Sequence, residues 1–281
     1  MTTPDFVVIG HVVQDLIPGG WRWGGPAIFA ACQAQRLGLR TGIITRAEPN
    51  VLQELPLPGV AVAGRPSKAT TNIENVYEQD HRRQHVPRQA EPLTADDLPE
   101  AWLSAPIVLL APVCGEVPPD LGQPFSGSLL AVAAQGWLRR LDRQRRVYRR
   151  AWSGPPFWSG CQALFVSQDD LGRRRDQLAQ WTAEVPIVAM TRDRRGATLH
   201  FEERWRQIDA FPARELDPTG AGDILATAFL VRYHETGDAA EAARFGAAAA
   251  SCSVEALGLD GIAGREEIEA RMKEHPEVVL R

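Results

Sequence analysis

The stretch RELDPTGAGDILATAFL, Arg214 to Leu230, decides how the rest of the chain is read. An acidic residue and a proline run into Thr219, then Gly220-Ala221-Gly222-Asp223, then an unbroken apolar helical pattern. Glycine costs about 1 kcal/mol against alanine inside a helix, so a strong helix that opens on two glycines has another reason for them. The first amides of a helix have no partner within it and lie at the positive end of its dipole. Glycines there let an anion's oxygens approach the backbone, which makes GAG at a helix start a cradle for a phosphate or an oxyanion. Asp223, beside that cradle, is placed to take the proton of an acceptor hydroxyl. The plainer alternative is an ordinary capped helix, with Thr219 or Asp217 as the cap and Asp223 as a charge that soothes the dipole. Capping does not need the double glycine.

Outward from this stretch, short apolar strands alternate with helices. FVVIG (Phe6 to Gly10), TGIITR, GVAVAG, PIVLLAPV, SLLAVAAQG and CQALFVS (Cys161 to Ser167) read as strands. PAIFAACQAQRLG (Pro26 to Gly38) reads as a helix with proline in its first turn and a glycine stop. The alternation predicts an α/β fold with a mostly parallel sheet. VPIVAMT, GATLHF and RWRQIDAF read as three consecutive strands, and helices are predicted at Gly222 to His234, Ala239 to Ala256 and about Arg265 to Lys273. Ala69 to Ala90 breaks the rhythm: it is polar, with a turn-like EQDHRR centre, and predicts an exposed hairpin. Thr94 and Asp97 are spaced as a capping box, and Ser167 to Asp170 opens a helix whose Leu171, Leu178 and Trp181 share one face. The basic run RRLDRQRRVYRR lacks stacked aromatics and reads as a solvated turn or hairpin.

The 281 residues carry 44% apolar and 23% charged side chains, ordinary values for a soluble globular protein. A net charge of −4 argues against a nucleic-acid partner held by general basicity. Cys32, Cys114, Cys161 and Cys252 are far apart in apolar settings, which predicts reduced cysteines and a reducing compartment. The start MTTPDFVVIG does not read as a signal peptide, and no apolar stretch approaches the roughly 20 residues of a membrane span. The expectation is a cytoplasmic protein. There is no G-x-x-x-x-G-K-[ST], and the third position of a dinucleotide fingerprint is Leu225, so both phosphate-binding motifs fail. His81 and His85 sit four apart in a polar hairpin, a poor zinc site.

DPTGAGD (Asp217 to Asp223) resembles the C-terminal signature of the ribokinase/PfkB family of carbohydrate kinases. WGGPAIFAACQAQRLG resembles the family's other signature, with Phe29 where many members have Asn. The resemblance covers essentially the whole chain. It implies one ribokinase-like domain over 1–281, a central mostly parallel sheet flanked by helices on both faces, with a reduced β lid at about 11–25 and 69–90. By that pattern Asp223 is the catalytic base, and the amides of Gly220, Ala221 and Gly222 form the anion hole. Asp15 matches the acidic residue that binds substrate hydroxyls, with Gly24 and Gly25 bordering its pocket. The family's Asn-x-x-Glu element, which organises magnesium and its waters, is matched by Ser167-x-x-Asp170. That pair is equally a capping box; in the metal role Asp170 would act through water.

TRDRRGA (Thr191 to Ala197) resembles the turn that borders ATP, with Asp193 where a glycine is expected. Thr191, Asp193, Gly196 and Thr219 are the implied nucleotide-side residues, and AAAASCSVEALGLDG fits the segment that covers adenine. TTNIENVYEQDHRRQ, LAPVCGEV and AVAAQGWLR are similar to stretches of short members akin to inositol kinases. On that likeness Asn72, Glu116, Gln135 and Arg139 are candidate substrate-pocket residues, each of them equally a solvated strand-end side chain. The implied activity is transfer of the γ-phosphoryl group of ATP to a hydroxyl of a small polyol, sugar or inositol. A nucleoside kinase and a non-catalytic ligand-binding protein are the alternatives. ATP and magnesium are the implied cofactors, a monovalent cation such as potassium an optional addition, and the implied state is a monomer or homodimer with no membrane partner.

Overall fold

The computed structural model describes residues 2–55, 57–78, 81–154 and 160–281. Runs of Val, Ile and Leu that are apolar on both sides form strands buried on both faces, as parallel sheets require. A nine-stranded sheet results. Its parallel part contains β1 (Phe6–Ile9), β4 (Thr41–Ala47), β5 (Ala61–Pro66), β8 (Ile107–Leu110), β9 (Leu129–Ala133), β12 (Cys161–Ser167) and β13 (Ile187–Thr191). The last two strands, β14 (Ala197–Phe201) and β15 (Arg204–Ile208), pair antiparallel at one edge. The order across the sheet is β15-β14-β13-β12-β9-β8-β1-β4-β5.

Alternate residues of each strand feed two cores. Phe6 and Val8 face one, where α1 (Pro26–Arg36), α5 (Ala221–Thr236), α6 (Ala239–Ser253) and α7 (Arg265–Glu274) pack. Val7 and Ile9 face the other, with Trp102 and Trp181 fully buried among them. Helices α2 (Pro49–Gln53), α3 (Gln168–Leu171) and α4 (Arg175–Glu184) complete the set. The single helix expected from Ser167 to Trp181 is split: Gly172, at φ 62°, ends α3. Leu171 and Trp181 therefore reach the second core from two separate helices. The capping box at Thr94 and Asp97 is formed, on a 3-10 turn.

A second sheet of four strands lies beside the first, in the order β3-β2-β6-β7. It consists of β2 (Val13–Ile17), β3 (Gly20–Gly24), β6 (Thr71–Glu78) and β7 (His81–His85). Short as the 11–25 excursion is, it folds into a paired hairpin, and β2 joins β6 in parallel. The turn expected around Gln79 and Asp80 lies outside the described residues. His11 pins the base of this lid. Its Nε2 donates to the Glu91 carbonyl (3.1 Å), which leaves Nδ1 to accept from the Thr71 hydroxyl (2.8 Å). The basic run does form a hairpin, β10 (Arg139–Leu141) with β11 (Val147–Arg149).

The four cysteines are unpaired. No helix among the described residues is long and apolar enough to cross a membrane. Strand β1 has β4 on one side and β8 on the other, so the chain reverses its direction of travel across the sheet there. Open α/β sheets bind ligands outside the carboxyl ends of their strands at such a point.

Candidate active site

The two glycines of GAGD serve different ends. Gly220 caps α5 at φ 81°, a left-handed conformation that favours glycine, and a Cβ on it would lie 2.4 Å from the Phe29 ring. Phe29 thus packs against the loop. Gly222 is the reverse case: a Cβ there would meet nothing within 4 Å. It borders open space. Asp223 follows in the first turn of α5, half-open to the cleft. Burial pushes its carboxyl up to about 7; the nearby Arg139 charge opposes that rise and Asp170 adds to it. A carboxyl poised near neutrality has the pKa at which general-base catalysis would work best.

Asp15 is buried on β2, facing Arg22 across the hairpin. A Cβ on Gly24 would stand 2.2 Å from Asp15 Oδ2, so the glycine exists to let that carboxylate lie flat on the backbone. Gly25, at φ 86°, starts α1 with Val13 against it. The sequence reading missed Arg22. It leaves the lid to donate from Nη1 to Asp217 Oδ2 (2.8 Å) and from Nη2 to Thr219 Oγ1 (3.3 Å), tying lid to loop. Burial works to raise the Asp217 carboxyl, but hydrogen bonds from Thr219 and Gly258 and the Arg22 charge outweigh it and hold the group below its ordinary range. The signal available beforehand was an arginine alternating with two tryptophans in a strand that opens and closes on glycine.

Of the four pocket residues taken from inositol-kinase-like stretches, three are engaged by partners within the chain: Glu116, Asn72 and Arg139. Both Glu116 oxygens accept backbone amides, from Val113 (2.6 Å), Cys114 (2.7 Å) and His11 (3.3 Å). The carboxylate is a buried staple between the ends of β1 and β8. Asn72 pairs with Gln14 in register and donates to its Oε1 at 2.9 Å, on the opposite face of the lid from Asp15. Gln135 is half-buried on the 3-10 turn Ala134–Trp137 that leaves β9. Arg139 follows it, buried.

Asp170 does not fit the metal role. Its Oδ1 receives Nε (2.9 Å) and Nη2 (2.8 Å) of Arg139, and its Oδ2 receives the Ser167 hydroxyl (2.8 Å). Ser167 Oγ in turn caps α3 by accepting from Asp170 N at 2.9 Å. A magnesium ion at this carboxylate would confront a guanidinium. Among the described residues there is no cluster of three acidic, histidine or cysteine side chains able to hold a metal.

Thr191 ends β13 in register with Ser167 at the end of β12. Asp193 adopts φ 53°, so aspartate occupies the left-handed position where glycine was expected. Gly196 is required for packing, since a Cβ there would lie 2.1 Å from the Ile208 carbonyl oxygen. Thr219 donates its amide to Asp217 Oδ1 (3.0 Å) and accepts from Arg22. Leu216 and Leu257, 55% and 64% exposed, flank the loop with their apolar surface open.

Comparison with known proteins bears on this arrangement. A profile for the pfkB family carbohydrate kinases matches residues 161–262, from β12 through the GAGD loop to the end of α6 and beyond. The cytidine kinase of Thermococcus kodakarensis is 27% identical over 266 residues, spanning 86% of this chain and 93% of its own. A pyrophosphate-dependent kinase in the ribokinase family, solved with a pyrophosphate analog and myo-inositol, superposes with a TM-score of 0.79 at 24% identity, over 94% of this chain and 99% of its own. The ribokinase of Arabidopsis thaliana, solved with ribose and ATP, gives 0.71 at 20% identity, over 97% and 99%. The last two likenesses show the ribokinase fold. Residues 161–262 thus match the pfkB family of carbohydrate kinases, a kinase relative runs along most of the chain, and the chain is a phosphotransferase with the ribokinase fold.

Proposed function

We propose that this chain moves the γ-phosphoryl group of ATP to a hydroxyl of a small polyol, an inositol or sugar first and a nucleoside second. The observation that carries the reading is Asp223: a carboxyl raised to about 7, one residue from a glycine that borders open space at a helix start. The acceptor O–H gives its proton to Asp223 as its oxygen bonds to phosphorus. The bond from phosphorus to the bridging oxygen breaks, and that oxygen leaves with the electron pair on ADP. The amides of Gly220, Ala221 and Gly222 take up the phosphoryl oxygens. Asp15, buried on the lid face that carries Arg22, holds another hydroxyl of the acceptor.

ATP as donor draws support from Leu216 and Leu257, whose exposed apolar surface beside the loop suits a nucleobase. A second donor has its own support. The turn Arg192–Arg195 carries three arginines, and the structural likeness to a pyrophosphate-dependent kinase is high, so pyrophosphate belongs in the assay. A nucleoside acceptor draws support from the cytidine kinase relative. A single cytoplasmic domain without nucleic-acid partners completes the reading.

The test pairs ATP or pyrophosphate with a panel of inositols, sugars and nucleosides, with the phosphorylated acceptor detected by mass spectrometry. ATP with a polyol should yield a phosphomonoester. Product from nucleosides alone selects the second acceptor class, and no product with either donor sinks the proposal.

A further inference from the structure

Arg139 sits where β9 gives way to β10, at the carboxyl end of the sheet. Its side chain is 9% exposed and that of its partner Asp170 is 6% exposed. Nε donates to Asp170 Oδ1 (2.9 Å) and Nη2 lies 2.8 Å from the same oxygen in the ion pair; among the described residues no acceptor meets Nη1. Withdrawing two charges from water commonly costs more than their attraction returns, and apolar side chains of similar volume often serve stability as well. Stability alone therefore does not explain this pair.

Its location offers a reason. α5 packs on β9 and β12, and the Phe165 and Phe229 rings meet at 5.5 Å, so the helix that opens on the GAG loop lies against β12, whose end carries Asp170, and β9, which leads to Arg139. The Arg139 and Asp170 charges both act on the Asp223 carboxyl. Arginine is suited to such a place, because its planar fork can hold a carboxylate on one edge and offer another edge to a phosphoryl oxygen.

We propose that Arg139 is a fixed cation of phosphoryl transfer, clamped by Asp170 on one edge and presenting Nη1 to an oxygen of the transferred group opposite the Gly220–Gly222 amides. Asp170 is then a positioning residue. The segment that the sequence matched to a magnesium-organising element instead anchors a guanidinium, and Arg139 leaves the acceptor pocket for the phosphoryl path. This inference rests on the reading of Asp223 as the base.

The test uses the full chain and three variants: Arg139→Ala, Arg139→Lys, and the double Arg139→Met with Asp170→Leu, which strands no buried charge. Calorimetric binding of pyrophosphate without any divalent cation reads the site apart from turnover. The parent should bind, and Arg139→Ala and the double variant should bind at least about tenfold more weakly. Loss of one donor to developing charge typically costs ~10²–10³-fold, so kcat should fall by about that factor in both, with the acceptor KM within about threefold of the parent. Added guanidinium ion should restore part of the rate to Arg139→Ala, and Arg139→Lys should fall between parent and Ala. Unchanged pyrophosphate binding in a folded variant overturns the proposal. So does a raised acceptor KM at constant kcat, which returns Arg139 to the acceptor pocket. Failure of the base reading shows separately, as Asp223→Asn turning over at the parent rate while Arg139→Ala remains impaired.

Discussion

Asp223→Asn should make the ligand-free protein more stable, and more so as pH rises. Burial lifts the carboxyl from 3.8 to about 7, so its charged form is disfavoured in the folded state. The sign follows from linkage: an acid whose folded pKa is raised contributes stability that is lost as pH climbs from the unfolded value through the folded one. Below about pH 4 the group is protonated in both states and costs nothing. Three units at 1.36 kcal/mol each set a ceiling of about 4 kcal/mol at pH 8, and of about 2 kcal/mol at pH 5. The cleft leaves Asp223 partly open to water. About half the ceiling is therefore expected, on the order of 2 kcal/mol at pH 8 and 1 kcal/mol at pH 5. Urea unfolding of parent and variant at both pH values measures the difference, and a Tm rise of about 2–4 °C per kcal/mol should accompany it in a chain of this size. A gain that does not change with pH, or a less stable variant, refutes the claim that the active-site carboxyl is held in a strained, desolvated state.

Three further outcomes follow from the same geometry. Asp15→Ala leaves acceptor hydroxyls unpaired at about 1–3 kcal/mol, so acceptor KM should rise about 5- to 150-fold with donor KM little changed; equal effects on both would count against its role. Asp170→Asn strands the Arg139 charge in a buried setting and should cost about 3 kcal/mol in denaturant unfolding without altering the magnesium dependence of the rate, and the opposite pattern would restore the metal role. Gly222→Val fills the open space beside the loop and should weaken donor binding before it affects the fold, as a Kd measured by calorimetry would show; an unchanged Kd would mean that the space holds no phosphate.

What the sequence made legible was whatever local chemistry dictates. The double-sided apolar runs at Phe6 and Ile107 foretell buried parallel strands, and the three strands before Arg214 sit where read. The helix-opening glycines stood out as a departure from helix propensity; Gly220 has a conformational reason in its left-handed backbone, whereas Gly222 borders open space. Long-range pairing was not legible. Glu116 shows the same residue type whether it greets a substrate or staples backbone amides 105 positions away at His11. Asp170 looked like a metal or capping residue because Arg139 lies 31 positions upstream, outside any local window. Arg22 was hidden for the same reason, since its partners Asp217 and Thr219 belong to the other end of the chain. The break at Gly172 was a local signal passed over in favour of a shared apolar face that two helices can supply as well as one.

The central claim is that Asp223 draws the proton from the acceptor hydroxyl while the GAG amides hold the phosphoryl group. Single-turnover formation of the phosphorylated acceptor, with donor saturating, tests it most directly in the parent and in Asp223→Asn. General-base catalysis contributes typically ~10²–10⁴-fold, so the variant should be slower by about that factor with its donor Kd retained. A variant that phosphorylates the acceptor at the parent rate would contradict the account and leave Asp223 as a helix-terminal charge.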